Sequence, residues 1–233
     1  LELGAHVQHI PDAFCSGMSR LSSVCVGANV ISLGDAVFSG CTALKTIKWL
    51  STCYQPKAQV SPFAEVASQI TSITLADSLT TIPSHLCAGM SALKAIAIPK
   101  TVHTIAASAF QGCSALRGIN LPASVKLIGK DAFSGCTGLI RTNYIGDIAG
   151  WCGIRFANKS ANPIVCSHNL FLRGKELTNV VIPSTVDSIH AHAFRACRSL
   201  DTVWVSSGVK YIGTLAFAQC DSLRMCTLEE GLL

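Results

Sequence analysis

The side chains with the widest chemical repertoire in this sequence are its twelve cysteines and seven histidines. Thiolates and imidazoles bind metals, and a Cys beside a His can act as nucleophile and base where the fold brings them together. Cys166 and His168 lie two residues apart, and His190 and His192 follow in the next repeat. Because alternate residues of an extended segment share a face, one interpretation is a metal held by His168, His190 and His192. A thiol enzyme built on Cys166 and His168 is another.

Other observations favour structural roles for these residues. No Cys-x-x-Cys pair occurs, which argues against a structural zinc site. No Asn or Asp stands at a spacing that would orient a Cys166–His168 pair. His190 and His192 occupy ordinary variable positions of a turn. We therefore predict no catalytic residue, no metal ligand and no cofactor, and an enzyme is the least favoured function.

Five of the cysteines occupy one position of a recurring segment, Ala-Phe-x-Gly-Cys-x-x-Leu. Its copies are Phe38/Cys41, Phe110/Cys113, Phe133/Cys136, Phe194/Cys197 and Phe217/Cys220, with weaker copies at Phe14/Met18 and Leu86/Met90. Uninterrupted copies lie 23 residues apart, and a period in the twenties is typical of leucine-rich repeat solenoids. We expect these cysteines to be buried as small hydrophobic residues. Cys152 and Cys166 are the better candidates for a disulfide.

One coil is represented by residues 93–113. A Leu-x-x-Ile-x-Ile strand over 93–98 ends at Pro99, because proline cannot donate to the ladder. A second short apolar pair, Val102 and Ile105, follows a turn, and Phe110 then enters the core. The strand recurs along the chain, which predicts one β-rich, right-handed, curved solenoid of about nine repeats with a long parallel sheet and short helical or irregular turns.

The whole chain, residues 1–233, is predicted to form this single solenoid. An irregular repeat is expected at 50–69 and an insertion at 146–172, and such interruptions often lie on a binding face. Both ends fall in mid-repeat without a polar capping repeat, which predicts a fragment of a longer protein. The sequence has no basic start before an apolar core and no apolar run of about 18 residues, so we expect no signal peptide and no membrane insertion here.

The repeat Ile-Pro-x-x-Val-x-x-Ile-x-x-x-Ala-Phe-x-x-Cys-x-x-Leu resembles the BspA-like, or Treponema-type, leucine-rich repeat family. Residues 98–116 and 182–200 match it nearly position for position. The resemblance implies a surface or secreted protein of a host-associated bacterium, and several family members are adhesins for host proteins. It supplies no catalytic residues and no fixed partner-binding motif.

The outward positions of the predicted strands suggest where a partner would bind. They follow the Leu or separate the two Ile of each strand, and they carry a broken basic stripe that ends near a tryptophan. The candidate partner-binding residues are Lys45, Lys48, Lys94, Arg117, Arg141, Arg224 and Trp204, together with Trp151 of the insertion. Such a stripe attracts acidic proteins or anionic glycans. With a net charge of only +5 and no interleaved aromatics, nucleic acid is not expected.

Two functions other than catalysis follow from these features. The first is non-catalytic binding at the cell surface or after secretion, to an extracellular or host protein or an anionic glycan, through the sheet face or the insertion. The second is a structural spacer, or stalk, that displays other domains and has no ligand. We expect a monomer in either case.

Overall fold

In the computed structural model, which describes residues 1–4, 6–56 and 60–229, the chain is a β-solenoid of about 10 turns with mostly parallel sheets. The leucine-rich repeat solenoid predicted from the sequence is confirmed. Each regular coil contains a four-residue main strand, a two-residue short strand and a turn that carries the Phe and Cys of the repeat. Residues 57–59 of the predicted irregular repeat lie outside the described residues.

The elements follow each other in this order. The strands are β1 (Glu2–Leu3), β2 (His9–Ile10), β3 (Ser23–Val26), β4 (Ser32–Leu33), β5 (Thr46–Trp49), β6 (Ser72–Leu75), β7 (Thr81–Ile82), β8 (Thr104–Ile105), β9 (Gly118–Leu121), β10 (Leu127–Ile128), β11 (Arg141–Tyr144), β12 (Arg155–Phe156), β13 (Phe171–Leu172), β14 (Lys175–Glu176), β15 (Asn179–Ile182), β16 (Ser188–Ile189), β17 (Thr202–Val205), β18 (Tyr211–Ile212) and β19 (Met225–Leu228). The α-helices are α1 (Ile148–Cys152) and α2 (Ile164–Ser167), and 3-10 turns lie at Ala67–Gln69 and Lys159–Ala161.

The main strands form three sheets, so the prediction of one long sheet is wrong. Their orders are β1-β3-β5-β6, β14-β13-β11-β9 and β15-β17-β19, and among the described residues only the β13–β14 pair is antiparallel. The short strands likewise divide into β2-β4, β12-β10-β8-β7 and β16-β18. The segment 93–98, which the sequence predicts as a strand, adopts no strand at all and lies between the first two main sheets.

Proline explains where the main sheets begin. In a paired coil, the residue after the strand donates its N–H to the preceding coil, as Ala76 N does to Trp49 O at 2.9 Å. The residues at this position after 93–98, β9 and β15 are Pro99, Pro122 and Pro183. Proline has no N–H, and each of these segments lacks ladder pairing with the coil before it. The proline that ends a strand therefore also prevents a backbone hydrogen bond to the preceding coil, and a new sheet begins there.

The core is a column of apolar side chains stacked from coil to coil. The rings of Phe110 and Phe133 stack with centroids 5.3 Å apart, and those of Phe194 and Phe217 are 5.0 Å apart. Both members of the first pair are fully buried. This stacking is the packing that the repeat predicts, because each coil covers the apolar face of its neighbour.

Two weaker copies of the repeat have a different register from the one that their sequence indicates. The residue before Ala-Phe in a regular coil has a left-handed backbone, and Ala13 takes that conformation in the first coil (φ 54°). Cys15 therefore occupies the place of the ring and is fully buried, whereas Phe14 is 47% exposed. Cys87 replaces the ring in the same way. In both coils a small thiol thus takes the place of a phenyl ring.

Candidate functional site

The sheet face comprises the outward residues of the main strands and the residue that precedes each strand. Within β5 and β9 the first and third residues point outward, and the second and fourth are buried. Lys48 is such a third residue. Lys45 and Arg117 directly precede their strands, and Lys94 occupies the equivalent position within the segment 93–98. Arg141 lies in register with Gly118 rather than with Arg117. The basic residues thus occupy three parallel columns and not one stripe.

Four of these residues form what we call the cationic patch: Lys45, Lys48, Lys94 and Arg117. All four are exposed, and within the described part of the chain none forms a salt bridge. The outward residues between them are small and mostly neutral: Thr46, Ser72, Thr74, Ala95, Ala97 and Gly118. The patch is therefore a shallow surface from which four cationic side chains project between small neighbouring side chains.

Arg141 is held by its own chain. Its guanidinium lies over the Phe171 ring, 4.1 Å from the centroid, and its Nη2 donates to Gly174 O at 3.1 Å. Phe171 and Gly174 belong to the hairpin of β13 and β14, which closes the edge of the second main sheet. Asn143 of β11 is buried beside this hairpin, and its Oδ1 accepts from Gly174 N at 2.9 Å. This hairpin separates the cationic patch from the C-terminal part of the sheet face.

Trp204 and Arg224 also have partners at the C-terminal end of the face. The Trp204 indole N–H donates to Glu229 Oε1 at 2.8 Å, and Glu229 Oε2 accepts from Ser207 N at 2.9 Å. The Ser207 amide, followed by the indole, lowers the pKa of the Glu229 carboxyl. Arg224 Nε lies 3.4 Å from Asp201 Oδ1. Trp204 remains 42% exposed, although its indole N–H is already bound to Glu229 and its ring is held in place by that bond.

Trp151 does not reach the surface, and its place among the candidate partner-binding residues is wrong. The indole is fully buried, its ring centroid is 5.5 Å from that of Tyr144, and its N–H donates to Ala193 O at 2.9 Å. Asn162 donates to the same carbonyl at 3.1 Å. A tryptophan in an insertion was expected to meet a partner, but here it attaches the insertion to the following coil.

The cysteines of the repeat form a ladder of buried thiols. Cys113 Sγ donates to Cys87 O and Cys136 Sγ to Phe110 O, both at 3.1 Å. Burial raises the pKa of these thiols, and it raises that of Cys152 to about 12. All twelve cysteines are free, so the disulfide proposed between Cys152 and Cys166 is absent. Cys166 instead extends the ladder, with its Sγ 3.4 Å from Phe133 O. The predicted burial is confirmed for Cys41, Cys113, Cys136 and Cys197, whereas Cys220 is only partly buried.

The histidine and thiol chemistry considered from the sequence is not assembled. Within residues 1–4, 6–56 and 60–229, no group of three His, Cys, Asp or Glu side chains is placed to hold a metal. Burial raises the pKa of the Cys166 thiol, which opposes formation of a nucleophilic thiolate. Burial and Arg195 lower the pKa of His192. In the same part of the chain, no helix combines the length and apolar character needed to span a bilayer.

The sequence did not indicate which residues of the chain itself contact Arg141 and Trp204. Arg173-Gly174 is a two-residue turn of left-handed residues (φ 50° and 85°), and a Gly in such a turn is a hairpin signal that could have been found. Glu229 has no local signal, because its contact with Trp204 depends on the stacking of two coils.

Comparison with known proteins agrees with this fold. The model of the BspA type leucine-rich repeat region matches residues 7–143 and 165–233 in six copies, and leaves out α1 and β12 of the insertion. The chain is similar to a leucine-rich cell surface protein from Faecalibacterium prausnitzii A2-165, with 22% identity and a TM-score of 0.46 over 97% of this chain and 68% of that one. No curated protein sequence matches it.

Two further solved structures are similar. A leucine-rich repeat protein from Bacteroides ovatus shares 22% identity with a TM-score of 0.48, over 95% of this chain and 64% of that one. A leucine-rich repeat protein from T. pallidum shares 20% identity with a TM-score of 0.39, over 96% and 77% of the two chains. The chain thus spans about two thirds of the first two proteins.

Proposed function

Because the chain belongs to the BspA-type leucine-rich repeat family, we propose that it is a non-catalytic binding module of a surface or secreted protein. Its ligand is an anionic macromolecule, either an acidic protein surface or an anionic glycan, and the cationic patch is the binding surface. One observation carries the proposal: four exposed cations on the coils from β5 to β9 have no acidic partner in the described chain.

The electrostatics of the patch support this proposal. Neighbouring strands lie about 4.8 Å apart, so Lys94 and Arg117 on adjacent coils repel each other. Their backbones are joined by Arg117 N donating to Lys94 O at 3.1 Å, which fixes the two residues on adjacent coils. An anionic partner would offset this repulsion and would be attracted over roughly the Debye length of 10 Å at 0.1 M salt.

The shape of the patch supports the same conclusion. Its outward neighbours, such as Ser72, Ala95 and Ala97, are too small to hold an anionic group away from the lysines. The patch contains no exposed aromatic anchor, so contact depends on charge rather than on side chains inserted into pockets. Arg141, Arg224 and Trp204 are secondary candidates, since each must release an internal contact before it binds a partner.

The test is a binding screen of the protein against extracellular-matrix proteins and a glycan array, at low and high salt. The variant Lys94→Glu plus Arg117→Glu is expected to keep the fold and to lose at least tenfold in affinity for a salt-sensitive ligand. The control Lys100→Glu plus Lys130→Glu changes the net charge equally at exposed residues outside the sheet face, and it should bind nearly as wild type.

Three results would contradict the proposal. Equal losses in the two variants would mean that net charge alone matters, and equal binding by all three proteins would place the ligand elsewhere. No ligand in either screen would favour the structural spacer.

A further inference from the structure

A cleft of about 350 Å³ opens beside the insertion, between α1 and the first residues of β16. Gly153, Arg155, Asp187, Ser188 and His190 contribute to its walls. None of them belongs to the sheet face, so this cleft is independent of the cationic patch. It lies at the break between two sheets of short strands, since β12 ends one and β16 begins the next.

At four short strands, β4, β8, β10 and β18, the start of the strand is bound to the coil before it in the same way. Two consecutive amides donate to one carbonyl oxygen. At β10, Lys126 N and Leu127 N both donate to His103 O, at 2.8 and 3.3 Å. The same arrangement recurs at β4, β8 and β18. In these four strands, two consecutive N–H groups therefore converge on a single oxygen.

At β16 the donors are present and the acceptor is missing. Asp187 and Ser188 occupy the two amide positions, but neither N–H has an acceptor among the residues that the structure describes. Here α1 contacts the coil of β16: His190 N donates to Cys152 O at 3.1 Å, and the Trp151 indole N–H donates to Ala193 O. No carbonyl of the preceding coil reaches the two amides.

The charges of the cleft indicate what would replace the missing carbonyl. Arg155 is exposed on β12 and forms no salt bridge within the described chain, although Asp187 lines the same cleft. Two consecutive amides at the position that shares one oxygen in other coils, in a cleft also lined by a guanidinium without a salt bridge, suit the binding of an anionic oxygen. The Asp187 carboxylate is an acceptor for an N–H or ammonium group of the same ligand.

We propose that this cleft binds the α-carboxylate of a short peptide or free amino acid. One carboxylate oxygen takes the position of the missing carbonyl and accepts from Asp187 N and Ser188 N. Arg155 pairs with the carboxylate, and the ligand's nitrogen faces Asp187. The small volume limits the bound part to one or two residues, so side chains beyond the terminus contribute little.

The amide resonances of Asp187 and Ser188 test this proposal directly. The full chain is titrated with trialanine, trialanine amide and alanine, and followed by ¹⁵N–¹H correlation spectra. We expect trialanine to shift both resonances in a saturable manner, and the amide to bind at least tenfold more weakly because it lacks the carboxylate. Binding of alanine as tight as that of trialanine would identify free amino acids as the source, and tighter trialanine binding would identify peptide C-termini.

Two variants and a control complete the test. Arg155→Gln should weaken trialanine binding about tenfold, and Ser188→Pro, which removes one donor, should abolish it. Lys126→Gln, at an exposed lysine in the preceding coil outside the cleft, should leave affinity unchanged. The proposal is overturned if trialanine leaves both amides unshifted, if the amide binds as tightly as the acid, or if Arg155→Gln binds as well as Lys126→Gln.

Discussion

The regular coils and the insertion are built into one continuous core by different means. In the regular coils, each contact is a copy of the one before, as in the Phe110–Phe133 stack and the thiol bond from Cys136. In the insertion, the contacts occur once: Trp151 and Asn162 both donate to Ala193 O. Cys166 is the exception, since it extends the ladder through the insertion.

This difference has a consequence for function. Repetition joins most neighbouring coils through the same backbone hydrogen bonds, whereas beside α1 the Asp187 and Ser188 amides have no acceptor among the described residues. The repeated part therefore offers a surface that differs only in its side chains, and the cationic patch is the result. The insertion changes the backbone itself, and it creates a cleft.

The largest effect should come from the repeated core. Phe133→Ala removes a fully buried ring between two coils and should lower the free energy of unfolding by about 3–5 kcal/mol. Urea denaturation followed by circular dichroism measures it, provided that the transition is two-state. A loss below about 1 kcal/mol would mean that the ring is not internal. The repeated core would then not be the more stabilising of the two regions.

A smaller effect is expected in the insertion. Trp151→Phe keeps most of the buried volume but removes the indole N–H, and it should cost about 1–2 kcal/mol because Ala193 O still accepts from Asn162. The same denaturation experiment measures it.

The double variant shows whether the two donors act together. Trp151→Phe plus Asn162→Ala should cost more than the sum of the single changes, since the buried carbonyl then loses both donors. Simple additivity would show that the shared acceptor does not anchor the insertion.

The smallest effect is expected at a turn position where the last coils lack the glycine of earlier coils. Gln219 has a left-handed backbone (φ 64°) at the position that Gly112 and Gly135 occupy in earlier coils. Gln219→Gly should stabilise the protein by about 0.5–1 kcal/mol, because glycine adopts this conformation without strain. Gln111→Gly is the matched control: Gln111 is also exposed but not left-handed, so this change should destabilise. A change of the same sign in both variants would contradict the argument.

Much of the fold could be predicted because the repeat is locally complete. The residues Leu116, Ile119 and Leu121 lie buried at β9 as their spacing indicates, and Val125 and Ile128 at β10 likewise. The segment 93–98 was not predictable from the same pattern. Whether it pairs depends on the coil before it, to which Pro99 cannot donate and against which Ala95 and Ala97 provide little side-chain packing.

The candidate site was predicted less well, because exposure and pairing depend on neighbouring coils. Lys45, Lys48, Lys94 and Arg117 are exposed as expected. Trp151 was misplaced because an insertion has no repeat to show which side chains point inward. The partner-binding role of the exposed residues stays a prediction.

By itself, the sequence determined the period, the buried column of Leu, Ile, Phe and Cys, and the family to which the chain belongs. These properties follow from residue types at fixed spacing, since every coil must bury the same face against the next. Only the tertiary structure decided which basic residues remain unpaired, where the sheets divide and which amides have no acceptor. Those properties depend on contacts between coils that are distant in sequence, and an insertion such as α1 alters them without disturbing the repeat on either side.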